Sequence, residues 1–76
     1  MKLVTFFTQA GAIRFEKELK TSGIEGKLKP VPRVLSSSCG LCVEAPLESL
    51  EDFDIEDVEC CYAVTFDGYE LLFRNE

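Results

Sequence analysis

Near its end the chain reads "CYAVTF", then Asp67-Gly68, then "YELLFR". Two runs rich in β-branched and aromatic residues around an Asp-Gly pair are the strongest short-range hairpin signal a sequence offers, and that dipeptide favours a type I′ turn. The spacing therefore predicts a terminal antiparallel hairpin. A chain of 76 residues has room for one compact domain, burying roughly 60% of its unfolded surface. The whole of 1–76 is read as that domain. Its hydrophobic content of 46% and charged content of 29% fit a packed core and not a disordered tail.

Working back from the hairpin, "KLVTFF" (2–7) reads as a strand covered on both faces or nearly so. Thr8 is placed to cap a helix in which Ala12, Phe15 and Leu19 form the apolar stripe, and Gly23 supplies a left-handed stop with Ile24 as its apolar contact. "GKLKPVP" (26–32) suits an edge strand, because its prolines cannot donate to a ladder. "VLSSSCG" reads as a loop and "GLCVEA" as a return to strand. Pro46 and "LESLEDF" predict a second helix, with Leu47, Leu50 and Phe53 three residues apart and acids in its first turn. The order strand, helix, strand, strand, helix, hairpin predicts an α+β fold, a ferredoxin-like or related two-layer sandwich. Two helices would pack on one face of a mainly antiparallel sheet.

Charge narrows the function. The formal net charge of −6 argues against nucleic acid, since neutralising phosphates requires clustered Lys and Arg. Residues 1–33 hold seven of the eight basic side chains against three acids, while residues 34–76 hold Arg74 alone against eleven acids. No apolar run is long enough for a bilayer, and the opening residues lack the pattern of a signal peptide, so no membrane role and a cytoplasmic location are expected.

In that compartment the four cysteines, Cys39, Cys42, Cys60 and Cys61, are expected to stay reduced and to serve chemistry or metal binding more than stapling. Cys39-Gly40-Leu41-Cys42 is a C-x-x-C, whose two sulfurs can close a disulfide, share a metal, or divide attack from resolution. A reactive thiol needs a cation or N–H donors to ionise at neutral pH. Arg33, the hydroxyls of Ser36, Ser37 and Ser38, and Gly40, which lets backbone approach closely, are the candidates to supply them. Cys39, at the loop end, is the candidate nucleophile. Cys42 is either its resolving partner or a small buried apolar side chain. A thioredoxin is disfavoured because the second cysteine enters a strand and not a helix. Four thiolates also raise a structural zinc site, although adjacent Cys60 and Cys61 point to opposite faces of a strand and rarely serve one metal. With no histidine in the chain, a Cys-His pair cannot form from within it.

The stretch "PVPRVLSSSCGLC", with "AIRFEKELKTSGIEGKLK" before it, resembles the Se/S carrier protein-like family of small bacterial domains. The family pattern is a P-x-P-R followed closely by S-S-x-C-G, and the likeness covers most of residues 2–43. It implies that Pro30, Pro32, Arg33, Ser37, Ser38, Cys39 and Gly40 are the functional positions. It also implies a carrier or accessory protein in place of a stand-alone enzyme, working without cofactor or metal between donor and acceptor proteins of sulfur or selenium. In that reading Cys39 accepts the cargo as a persulfide or selenopersulfide and Cys42 resolves it. The alternatives are a non-catalytic interaction module with structural cysteines and a small zinc-binding domain.

Overall fold

The computed structural model describes residues 1–75. Strands β1 (Lys2–Phe6), β2 (Lys27–Pro30), β3 (Leu41–Ala45), β4 (Val58–Thr65) and β5 (Gly68–Arg74), with helix α1 (Gln9–Thr21), follow one another as β1-α1-β2-β3-β4-β5. The strands form one sheet in the order β2-β3-β1-β4-β5, and every neighbouring pair is antiparallel. The central strand β1 carries the most buried run, Leu3 to Phe6, apolar but for Thr5, as suits a strand covered on both faces.

Helix α1 covers one face. Thr8 caps it by accepting the Gly11 N–H at 3.0 Å. The Asp57 carboxylate accepts from both the Thr8 N–H (3.3 Å) and its hydroxyl (2.5 Å), placing negative charge at the positive end of the helix. The helix ends with Gly23 at φ 76°. There the Ile24 N–H returns to the Leu19 carbonyl (2.8 Å) and the Gly23 N–H to that of Lys20 (3.0 Å), satisfying carbonyls the last turn would leave unpaired. Ala12, Phe15 and Leu19 enter a core with Val4, Phe6, Val43, Val58 and Cys61. The opposite face holds a smaller cluster of Leu3, Cys42, Cys60 and Tyr62, partly covered by Val31 and Leu35 from the serine loop.

The expected second helix is absent, so the two-helix, ferredoxin-like sandwich is not formed: the protein has one helix on a five-stranded sheet. Residues 46–57 run as turns and bends. The reason lies in their side chains. Ser49 Oγ accepts the Glu51 N–H (3.4 Å) and Asp54 Oδ1 the Glu56 N–H (3.0 Å), local bonds that compete with a helix, while Glu48 and Asp52 would repel each other one helical turn apart. The three-residue apolar spacing still serves burial. Leu47 and Leu50 join the helix-side core, and Phe53 packs on it with its ring centroid 5.4 Å from that of Phe15.

The terminal hairpin pairs Thr65 with Gly68 across Phe66-Asp67. The turn is therefore displaced by one residue from the type I′ geometry expected at Asp67-Gly68: no non-glycine residue has positive φ among the described residues, and Gly68 alone in this hairpin takes it, at 151°. Phe66, expected at the end of the preceding strand, lies instead in the turn and is fully exposed at its tip.

One irregularity in β4 matters below. Thr5 pairs with Cys60 but Phe6 pairs with Val58, leaving Glu59 as an extra residue in the ladder between β1 and β4. Consistent with a bulge there, Val58 and Cys61 face the same core although strict alternation would separate residues three apart. The buried Thr5 hydroxyl accepts the Cys60 N–H at 3.1 Å, satisfying a donor beside the bulge.

Candidate functional site: the Cys39 loop

Residues 31–40 leave edge strand β2 and return into β3. The loop closes at its base where the Val31 N–H donates to the Gly40 carbonyl (3.0 Å), and it turns at Pro32 to Leu35 through the Leu35 N–H and Pro32 carbonyl (3.0 Å). Gly40 has φ 77°, a conformation that side chains rarely adopt. That turn brings the Leu41 N–H back to within 3.4 Å of Cys39 Sγ, while the Leu41 carbonyl lies at 3.4 Å from the same sulfur. The Cys39 thiol is half-buried, resting on the helix-side core.

The four sulfurs are all free thiols, and the sheet separates them. Cys39 and Cys61 lie on the helix side, Cys42 and Cys60 in the cluster on the other. Cys42 is fully buried, with Sγ 3.6 Å from the Pro30 carbonyl. Burial pushes its thiol up to about 11; Glu44 and Cys39 add to the rise and Lys29 opposes it. Burial likewise raises Cys61. It raises Tyr62 as well, and the neighbouring Cys60 adds to that rise. The four thiolates expected for a zinc centre do not converge, and among the described residues no group of three Cys, Asp or Glu could hold a metal ion.

The residues expected to steady an anion on Cys39 are placed as follows. Arg33 is exposed in the first turn of the loop and makes no hydrogen bond or ion pair among the described residues. Ser37 donates its hydroxyl to the Phe6 carbonyl (3.3 Å) and accepts the Cys39 N–H (3.4 Å). Ser38 gives both its N–H (3.0 Å) and its hydroxyl (2.9 Å) to the Glu59 carboxylate. Lys29 is held by Glu44 at 2.9 Å, and that bond raises the Lys29 pKa. The donor that reaches the sulfur is thus the Leu41 N–H.

Three participants escaped the sequence reading: the Leu41 N–H, Glu59, and Gln9, whose side-chain amide donates to the Cys39 carbonyl at 3.3 Å. Gln9 and Leu41 left no signal. For Glu59 one existed, since an acid between Val58 and Cys60 interrupts an otherwise buried run. A shallow depression of about 360 Å³ adjoins the loop, lined by Ser36, Glu59, Cys60, Tyr62 and Arg74 among others.

These features define a small sheet domain that presents one thiol, at a loop end, and encloses the rest. The chain belongs to the family described as "Putative Se/S carrier protein-like", whose model matches residues 2–55. No curated protein and no solved structure matches the chain. Among the described residues no helix is long and apolar enough to cross a membrane.

Proposed function

We propose that the protein carries a sulfur atom, or selenium at the same oxidation level, on Cys39. The observation that carries this reading is that one loop thiol out of four is only half-buried while the other three are enclosed, in a chain of a family named for such carriage. In uptake, the Cys39 thiolate attacks the terminal atom of a donor persulfide. The donor's S–S bond breaks, its electron pair leaves with the donor thiolate, and Cys39 becomes the persulfide. Delivery is the same exchange in reverse, with an acceptor thiolate attacking the terminal atom and Cys39 departing as thiolate. Neither step consumes an oxidant, a reductant or a cofactor.

Gly40 acts through the backbone by turning the Leu41 N–H onto the sulfur. Arg33, exposed and uncommitted among the described residues, is available to an anionic cargo or to a partner's carboxylate. Ser37 and Ser38 hold the loop in shape. The burial and raised pKa of Cys42 favour release to a thiol of the acceptor protein over attack by Cys42 itself. Cys42, Cys60 and Cys61 then serve as small core side chains.

The test is intact mass after incubation with a persulfide donor. Wild type should gain one sulfur, Cys42→Ala should gain it too and still pass it to an acceptor thiol, and Cys39→Ser should gain none. An adduct on Cys39→Ser equal to wild type, or no adduct on wild type, refutes the reading.

A further inference from the structure

We infer that Glu59 is a positioning residue for Cys39, aimed at the serine loop by the β-bulge it occupies. The inference rests on the reading of Cys39 as the working thiol. Glu59 lies in β4, beyond the residues that the family model matches. In a regular strand it would pair with a residue of β1, but here Val58 and Cys60 take the consecutive partners Phe6 and Thr5, and Glu59 has none. A bulge of this kind bends its strand and re-aims a side chain, at the cost of ladder bonds. Both consequences are met locally. The Cys60 N–H finds the Thr5 hydroxyl, and the Glu59 carbonyl accepts the Asn75 N–H at 2.8 Å. The re-aimed carboxylate takes the N–H and the hydroxyl of Ser38, one oxygen for each, at 3.0 and 2.9 Å.

Ser38 is the residue immediately before Cys39. The other ties of this part of the loop are single, neutral bonds, from Ser37 to Phe6 and from Gln9 to the Cys39 carbonyl. The Glu59 contact is double and charge-assisted, the stronger class of hydrogen bond. It fixes the loop against the sheet and keeps Cys39 half-buried beside the Leu41 N–H. A second effect follows from the same bonds. The N–H and the hydroxyl of Ser38 are both taken by the carboxylate and are not offered to the sulfur, whose donor remains the Leu41 N–H. Glu59 therefore sets how far the thiol is presented.

The experiment reads Cys39 alkylation by iodoacetamide in the full chain, with peptide mass, over a pH series between about 7 and 8.5 where the fold is intact, each variant's rates being normalised to its own thiolate fraction read from the series. The rate then reports access. No sulfur donor is present, so a failure here is distinct from a failure of the carrier reading. Glu59→Ala should alkylate about fivefold faster, the change in local opening expected from losing one net hydrogen bond. Glu59→Gln, which retains an acceptor and can keep both contacts, should stay near wild type. Ser38→Ala, which keeps only the backbone bond, should fall between. Adding it to Glu59→Ala should give no further increase. A Glu59→Ala rate equal to wild type, a Gln variant as fast as the Ala variant, or fully multiplicative effects in the double variant would overturn the assignment. An independent reading needs no variant. In the wild type the Ser38 amide should exchange its hydrogen more slowly than that of Ser36, which has no acceptor among the described residues, and equal rates would also overturn it.

Discussion

Raising the pH should unfold this protein through its buried thiols, and Cys42 allows the size of the effect to be worked out. Its side chain is fully enclosed, so ionisation would place a thiolate in the sheet's smaller core. Burial moves its pKa from 9.0 to about 11. A folded-state pKa above the unfolded value means that the native state holds its proton longer. The associated stability is complete below pH 9.0 and is lost as pH rises through about 11. A shift of this size corresponds to about 3 kcal/mol, a large share of the stability of a domain this small. Cys61 and Tyr62 are raised in the same direction and add to the loss. The assay is the urea midpoint between pH 8 and 11 under reducing conditions, for wild type and for Cys42→Ala. The variant should start less stable, because it leaves a small cavity, and should lose less on going to high pH. Parallel curves for the two proteins would refute the argument, as would a wild-type midpoint that does not move.

The same numbers predict selectivity. At pH 8 about one Cys42 in a thousand is ionised, so Cys39 should alkylate first and alone in folded protein, and all four cysteines should react in urea. Gly40→Ala should cost about 1 kcal/mol for the left-handed φ of 77°, and, by turning the Leu41 N–H away from the sulfur, should slow sulfur uptake more than it lowers stability. At Gly11 the outcome has an unusual sign. Alanine normally improves a helix interior by about 1 kcal/mol, yet a Cβ here would overlap the Asp57 carboxylate and drive it from Thr8. Gly11→Ala should therefore lower the thermal midpoint by several degrees and should become stabilising when Asp57→Gly removes the obstruction; the same sign in both backgrounds would refute this account.

How much of this was legible in the residues differs by element. The strands and α1 are written in local signals that agree with their packing. Examples are the β-branched run of β1, the Thr8 cap, the 12-15-19 stripe, the Gly23 stop and the proline-guarded edge at β2. The second helix misled because a spacing of three satisfies a helix face and equally a loop that plugs a core with Leu47, Leu50 and Phe53. The choice is made by serine and aspartate side chains bonding to their own backbone. Cys39 could be singled out because it is the cysteine outside any strand. The partners of its loop could not, because they arise from pairings 21 and 30 residues away, Ser38 with Glu59 and Gln9 with Cys39. The serines next to the sulfur read naturally as donors to it, and in the folded chain they are committed elsewhere.

The segment beyond the family match is accordingly integral to the site. Strand β4 lies directly beside the central strand β1, so the sheet cannot be completed without it. Two carboxylates two residues apart reach back from its start in different directions: Asp57 to the N-terminus of α1, and Glu59 to the loop before Cys39. A regular strand would send residues at that separation to one face. They diverge because Asp57 precedes the strand and Glu59 sits in its bulge. Phe6 and Thr8, on either side of the join between β1 and α1, meet this acidic turn and the serine loop at once: Ser37 bonds the Phe6 carbonyl, and Asp57 bonds Thr8. A change at the start of β4 is thus transmitted to the helix cap and to the thiol loop through separate bonds, and substitutions at Asp57 and at Glu59 should separate stability from thiol access.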